Sequence, residues 1–216
     1  MAEIRPPFWR WLEQFPPDLI ADRDNGAGRV ALIADSRDDE ATRRVYANAV
    51  AVLGPSWNHR FLQQRGGDAL LSSPAFWESI PEEHVLVYQR DTVILRPVPD
   101  AALWWSMIGA PCGLIWTDHW AMNGGFSLRK RSAMLGVLQH VERRPCELED
   151  VYFTRGLRER SVWLPSIQTA ARFAVENPEG YIGPPVGVHG TDKRYLPDDL
   201  AERLVDEAMA WHRVMV

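Results

Sequence analysis

Apolar and polar positions along the chain fall into two patterns: short continuous apolar runs bounded by turn residues, and longer runs with a helical period. Arg29–Ala34 (RVALIA) and His84–Tyr88 (HVLVY) are of the first kind and predict strands buried on both faces. Glu40–Leu53 carries helical periodicity until Gly54-Pro55 stops it, completing a βα unit with the first strand. Trp57–Leu62 and Val93–Leu95 predict further extended segments, Pro74–Ser79 one or two helical turns, and AALWWSM from Ala101 a helix followed by an Ile-Gly-Ala-Pro turn. Cys112–Met122 reads as a loop, and at the start of the Asn123–Arg129 segment that follows it residues 123–127 (NGGFS) read as a glycine-rich turn. Helices are predicted over Ser132–Val141, over Val151–Leu157 and from Pro197 to about His212. Strands alternating with helices predict an α/β domain with a mainly parallel central sheet flanked by helices and a Rossmann-like N-terminal half, whose ligands sit at the carboxyl ends of the strands.

Residues 1–28 read as an aromatic arm and connector ahead of the domain, which spans 29–216. Phe8, Trp9, Trp11, Leu12 and Phe15 share roughly one side of a short helix, and Asp22–Gly28 is a turn-rich connector. Packing of these rings on the domain is the simpler expectation, and a homo-oligomer contact through the arm is the alternative. Its charges are balanced, so the arm lacks the basic excess of a membrane-surface helix.

Composition excludes a disordered or fibrous chain: 46% of the 216 residues are hydrophobic and 25% charged. The net charge of −5 gives no overall attraction to nucleic acid or anionic lipid. Cys112 and Cys146 lie in no metal-binding or disulfide spacing. With no signal-peptide pattern and no run of about 20 apolar residues, the expectation is a cytoplasmic protein without a transmembrane segment.

Four polar constellations could carry chemistry. Gln89-Arg90-Asp91 ends a buried strand, where a carboxylate costs desolvation unless a cation or hydrogen bonds compensate it. A divalent metal shared with a diphosphate is one reason for it, and a turn cap or a pairing with Arg90 or Arg96 is the other. Asn123-Gly124-Gly125 frees the backbone for close approach, leaves room for a sugar, and offers an amide to its hydroxyls. Glu149-Asp150 either caps a helix or takes a proton from an attacking hydroxyl. His189, between glycines, reads as an exposed histidine able to ligate a metal or donate to phosphate. Trp116, His119 and Trp120 precede the glycine pair and are candidates to stack on an acceptor sugar, although most of the ten tryptophans are expected in the core. Arg129-Lys130-Arg131, Arg155, Arg158 and Arg160 are expected on solvated faces, with attraction of an anionic donor as the alternative.

The order ALIADSR, LLSSPAFWESIPEEHVLVYQRDTVILRP, IGAP, MNGGFSLRKRSAML, EDVYFTRGL, FAVE, GVHG, from Val30 to about Tyr195, resembles a small bacterial glycosyltransferase-like family of the GT-A nucleotide-sugar transferase superfamily. The resemblance implies a single GT-A-like domain. It places the metal and donor diphosphate on Asp91, with Gln89 where a first aspartate would stand, and completes the metal site with His189. Asp35 and Arg37 would touch the nucleotide, Asn123, Gly124 and Gly125 would line the donor-sugar and acceptor pocket, and Asp150, ahead of Glu149, would be the base. The implied function is transfer of a sugar, with inversion, from a nucleotide-sugar (a UDP-sugar favoured) to a glycan, lipid-linked, peptide or small-molecule acceptor, assisted by Mn²⁺ or Mg²⁺. A non-catalytic nucleotide-sugar-binding or scaffold protein and a nucleotidyltransferase are the rival functions.

Overall fold

The structure is a computed structural model and describes residues 3–17, 21–64, 67–112, 120–178, 181–193 and 195–215. Its main sheet is built from β1 (Arg29–Ala34), β2 (Asn58–Leu62), β3 (His84–Tyr88), β5 (Met107–Cys112) and β6 (Ala121–Lys130), in the order β2-β1-β3-β6-β5. A smaller sheet orders β4 (Val93–Ile94), β8 (Gly187–Val188) and β7 (Ala174–Val175) as β4-β8-β7. The helices are α1 (Pro6–Leu12), α2 (Glu40–Leu53), α3 (Asp68–Leu71), α4 (Pro74–Glu78), α5 (Arg131–His140), α6 (Glu149–Glu159), α7 (Ile167–Phe173) and α8 (Asp198–Met215).

The α/β class holds, but the sheet is mixed rather than mainly parallel. β2, β1 and β3 run parallel, whereas β6 is antiparallel to both β3 and β5. The segment read as an Ile-Gly-Ala-Pro turn is the strand β5, with an irregularity between Gly109 and Pro111, and the segment read as a glycine-rich turn is the interior strand β6. Glycine and proline are ordinarily disfavoured in strands, and here they mark a bulge and close backbone approaches instead of a chain reversal.

Both faces of the sheet are covered, which is why β1 and β3 are continuously apolar. Val30, Leu32, Val85 and Val87 face a core completed by α3, α4, α5 and α6. Ala31, Ile33, Leu86 and Tyr88 face the opposite core, completed by α1, α2, α7 and α8. The N-terminal arm belongs to this second core: Phe8, Trp11, Leu12 and Phe15 are buried, and the Trp11 indole donates to the Ile94 carbonyl at 3.0 Å. These rings are therefore not available for a homo-oligomer contact through the arm. The connector also packs, as Arg23 exchanges two 2.8 Å backbone hydrogen bonds with His59 at the outer edge of β2.

His59 is the cost of that packing. The residue is 1% exposed, and neither ring nitrogen has a partner at full hydrogen-bonding geometry among the described residues. Burial pushes its pKa down to about 4, only partly opposed by the nearby Gly54 backbone. A depressed histidine pKa means that the unfolded chain binds the extra proton first, so the protein loses stability as pH falls from 6.5 through 4. Urea titration should show wild type losing up to about 3 kcal/mol more than His59→Leu between about pH 7 and about pH 4. Parallel losses in the two proteins would remove His59 as the cause.

Candidate functional site

The candidate residues converge because the two sheets meet at the carboxyl end of β3. The chain leaves β3 through Gln89, Arg90, Asp91 and Thr92 into β4, Glu176 follows β7, and His189 follows β8. The β4-β8-β7 pairing thus brings 91, 176 and 189 together. β6 runs the other way, so its early residues Asn123–Gly125 lie beside the same end: Gln89 N–H donates to the Gly125 carbonyl at 2.9 Å. Glu149 and Asp150 arrive on the first turn of α6, which packs on β6.

Two cavities result, and Gln89 lines both. The larger, about 610 Å³, is bounded by Asp35, Ser36, Arg37, Arg90, Asp91 and Asp192. The smaller, about 170 Å³, is lined by Asp68, Leu71, Leu148, Glu149 and Asp150 together with Asn123, Gly124, Gly125 and His189.

In the larger cavity the charges are mostly internally matched. Asp35 accepts from the Arg37 backbone N–H and guanidinium at 2.9, 2.8 and 2.5 Å. Burial raises its carboxyl pKa, and these Arg37 hydrogen bonds outweigh that and leave it lowered. Asp39 caps α2 by accepting from Thr42 N–H at 2.9 Å and also holds Arg90 at 2.9 and 3.2 Å. Against its burial, the Arg90 and Thr42 hydrogen bonds hold its pKa near 2. Asp91 is therefore paired neither with Arg90 nor with Arg96, whose contact is with Glu207 at 3.9 Å. Instead its carboxylate faces His189 Nδ1 at 3.5 Å and Lys193 Nζ at 3.7 Å. Asp192 stands beside it, its pKa raised by burial and then by the Asp91 charge, and its Oδ1 is buried without a hydrogen-bond partner among the described residues.

His189 is buried, 4% exposed, in contrast to the exposed histidine that its glycine neighbours suggest. Its Nδ1 lies 3.3 Å from the Thr92 hydroxyl and its Nε2 4.0 Å from Glu176. The ring rests on Gly125, where a Cβ would come within 2.2 Å of it. The space over Gly124 is likewise taken, since a Cβ there would lie 2.7 Å from Glu149 Oε2. The glycine pair therefore admits the protein's own side chains, while both glycines and Asn123 still line the smaller cavity. Asn123 is similarly occupied, accepting from Gly125 N–H at 2.6 Å and donating to Glu176 at 3.0 Å.

The two acidic residues of α6 differ. Glu149 forms a buried ion pair with Arg129. Asp150 accepts from Gly124 N–H at 3.2 Å and Val151 N–H at 2.8 Å, with its carboxylate at the wall of the smaller cavity. Trp116 and His119 lie outside the described residues. Trp120 is packed on the core with Arg158 over its ring at 5.3 Å and lines neither cavity, so the structure does not bring it to the site. Cys112 is nearby, but burial pushes its thiol up to about 12, which keeps it protonated and unreactive.

Sequence reasoning missed Asp192, Lys193 and Glu176 and misplaced Arg129. The first two lie three and four residues after His189 in the run GVHGTDK, a cluster of polar residues after an apolar strand that could have been flagged. Arg129, expected on a solvated face, is fully buried because it lies within the interior strand β6.

The described residues thus define a mixed α/β protein with a polar cleft where parallel strands end. The chain belongs to the family described as Protein of unknown function (DUF5672), whose model matches residues 55–189. That match corrects the resemblance to a glycosyltransferase-like family, since nothing in it points to a glycosyltransferase family. No curated protein matches the chain. None of the described helices is long and apolar enough to cross a membrane.

Proposed function

We propose that this protein transfers a sugar from a nucleotide-sugar to an acceptor hydroxyl. The observation that carries the proposal is the pair of cavities that share Gln89 in their walls, with Asp91 lining the larger and Asp150 the smaller. Ligands of such sheets bind outside the carboxyl ends of parallel strands, where β1 and β3 end here. The larger cavity has the size of a nucleotide site, and a diphosphate there would take over Arg37 and Arg90 from Asp35 and Asp39, and the neighbouring Lys193 from Asp91. A GT-A-like arrangement of the domain is part of the same reading.

Among the described residues no three His, Cys, Asp or Glu side chains converge as a metal cage. Mg²⁺ and Mn²⁺ in nucleotide sites need only one or two carboxylates, with phosphate oxygens and water completing the shell. Asp91 and Asp192, whose Oδ1 is buried and unpartnered, fit that requirement. When bound there, the cation would neutralise charge on the diphosphate. His189, held by Thr92 and seated on Gly125, would orient the Asp91 carboxylate.

In the transfer, Asp150 accepts the proton of the acceptor hydroxyl as its oxygen bonds to the anomeric carbon. The bond from that carbon to the diphosphate oxygen breaks, and the electron pair leaves with the nucleoside diphosphate. Lys193 and Arg37 stabilise the charge it carries away. A single displacement of this kind inverts the anomeric centre.

The test is a thermal-shift screen of nucleoside diphosphates with and without Mn²⁺, on wild type and Asp91→Asn. A ligand at 100 times its dissociation constant should stabilise wild type by about 2.7 kcal/mol. A metal-dependent shift that Asp91→Asn loses supports the proposal, and a bound nucleotide without turnover of any nucleotide-sugar points to a binding protein instead. No shift with any nucleotide removes the donor site.

A further inference from the structure

Arg129 lies on the interior strand β6 and lines neither cavity. It is fully buried, with its guanidinium over the Trp77 and Phe153 rings at 5.9 and 5.5 Å. Nε donates to the Ser127 hydroxyl at 2.8 Å, Nη2 to the Gly124 carbonyl at 3.3 Å, and Nη1 to Glu149. Taking such a charge out of water is costly, and a well-packed apolar pair of similar volume commonly serves stability as well or better. A planar fork does something that apolar residues cannot: it fixes the directions of several acceptors at once.

The acceptors it fixes are the two neighbours of Asp150. Glu149 precedes Asp150 in the chain, and Gly124 donates its N–H to Asp150 Oδ2. Arg129, Glu149, Asp150 and Gly124 thus form a closed ring linking β6 to the first turn of α6. Asp68 supports it from α3, accepting from the Glu149 N–H at 2.8 Å, which accounts for a helix whose preceding residue, Leu148, offers no capping side chain. Gly124 has no room to be anything else, with Glu149 Oε2, Arg129 Nη2 and Asp150 Cβ all within 3.2 Å of where a Cβ would stand.

We propose that Arg129 is the positioning residue for Asp150, acting through Glu149 and the Gly124 backbone, and that Glu149 serves this ring rather than proton transfer. The inference rests on Asp150 being the base of the proposed transfer. It assigns the cost of a buried ion pair to aiming one carboxylate into the smaller cavity.

The double variant Arg129→Met/Glu149→Leu tests it, since it removes both charges and leaves neither unpaired. Expected are an unchanged or higher Tm, a nucleotide Kd within about twofold of wild type, and kcat lowered about 100-fold, as for misplacement of a reacting group by about 1 Å. The Gly124 amide, followed by NMR, should exchange about tenfold faster with solvent as its bond to Asp150 opens. Arg129→Lys, which keeps the charge and loses the fork, should show the same kcat loss and stands in if the double variant fails to fold. Unchanged kcat and unchanged Gly124 exchange in a folded variant overturn the proposal. If wild type transfers no sugar, the proposed function fails, while Gly124 exchange still decides whether Arg129 holds Asp150.

Discussion

Asp150→Asn should lower kcat for sugar transfer by about 10²–10⁴-fold, the usual contribution of a positioned general base, while leaving the nucleotide Kd unchanged. The substitution keeps the side-chain shape and one oxygen able to accept from Gly124 N–H, and gives up the Val151 N–H bond made by the other oxygen. What it removes is the proton acceptor at the wall of the smaller cavity. Glu149, which also lines the smaller cavity, does not replace it, because its carboxylate is committed to Arg129. Steady-state kinetics with a nucleotide-sugar that wild type turns over would measure this. A variant with wild-type kcat would move the base elsewhere, and a raised Kd would place Asp150 in donor binding.

The second large effect is on stability, and it comes from the arm. Trp11→Ala removes a fully buried indole that packs edge-on against Phe15, at 5.0 Å between ring centroids, and against His212 of α8 at 5.6 Å. It also leaves the Ile94 carbonyl without the Trp11 donor, although Asn48 still reaches that oxygen at 2.9 Å. Large-to-small changes at such positions cost about 3–5 kcal/mol. For a chain of this size that is a fall in Tm of roughly 6–20 °C, measurable by calorimetry. The arm also reaches the site: Arg5 N–H donates to the Thr191 carbonyl at 3.1 Å, and Thr191 in turn donates to the Asp91 carbonyl from its N–H at 3.0 Å and its hydroxyl at 2.9 Å. Deleting residues 1–15 should therefore yield an aggregating protein. A soluble, fully stable truncation would return the arm to the role of an accessory segment.

Local pattern reading succeeded where a segment's surroundings are uniform. β1, α2 and β3 fall where periodicity predicts them, because each is buried against one continuous apolar layer or carries a clean stop such as Gly54-Pro55. It failed at β5 and β6, where Gly109, Pro111, Gly124 and Gly125 obey constraints set by distant residues. Gly125 is glycine because His189, 64 positions later in the numbering, lies on it. The site divides the same way. Gln89 and Asp91 stand out as polar residues ending an apolar strand, and Glu149-Asp150 as acids opening a helix. Asp192 and Lys193 show only as polar residues of the run GVHGTDK, and it takes the meeting of two sheets to bring them to Asp91, while only burial inside β6 gives Arg129 its meaning.

The central claim is that a nucleoside diphosphate binds where β1 and β3 end. Hydrogen exchange of the wild-type protein with and without nucleoside diphosphate and Mg²⁺ tests this most directly. Slower exchange confined to Asp35–Arg37, Gln89–Asp91 and the Thr191–Lys193 turn is the predicted result. Unchanged exchange in those three segments, or protection elsewhere on the surface, would contradict it.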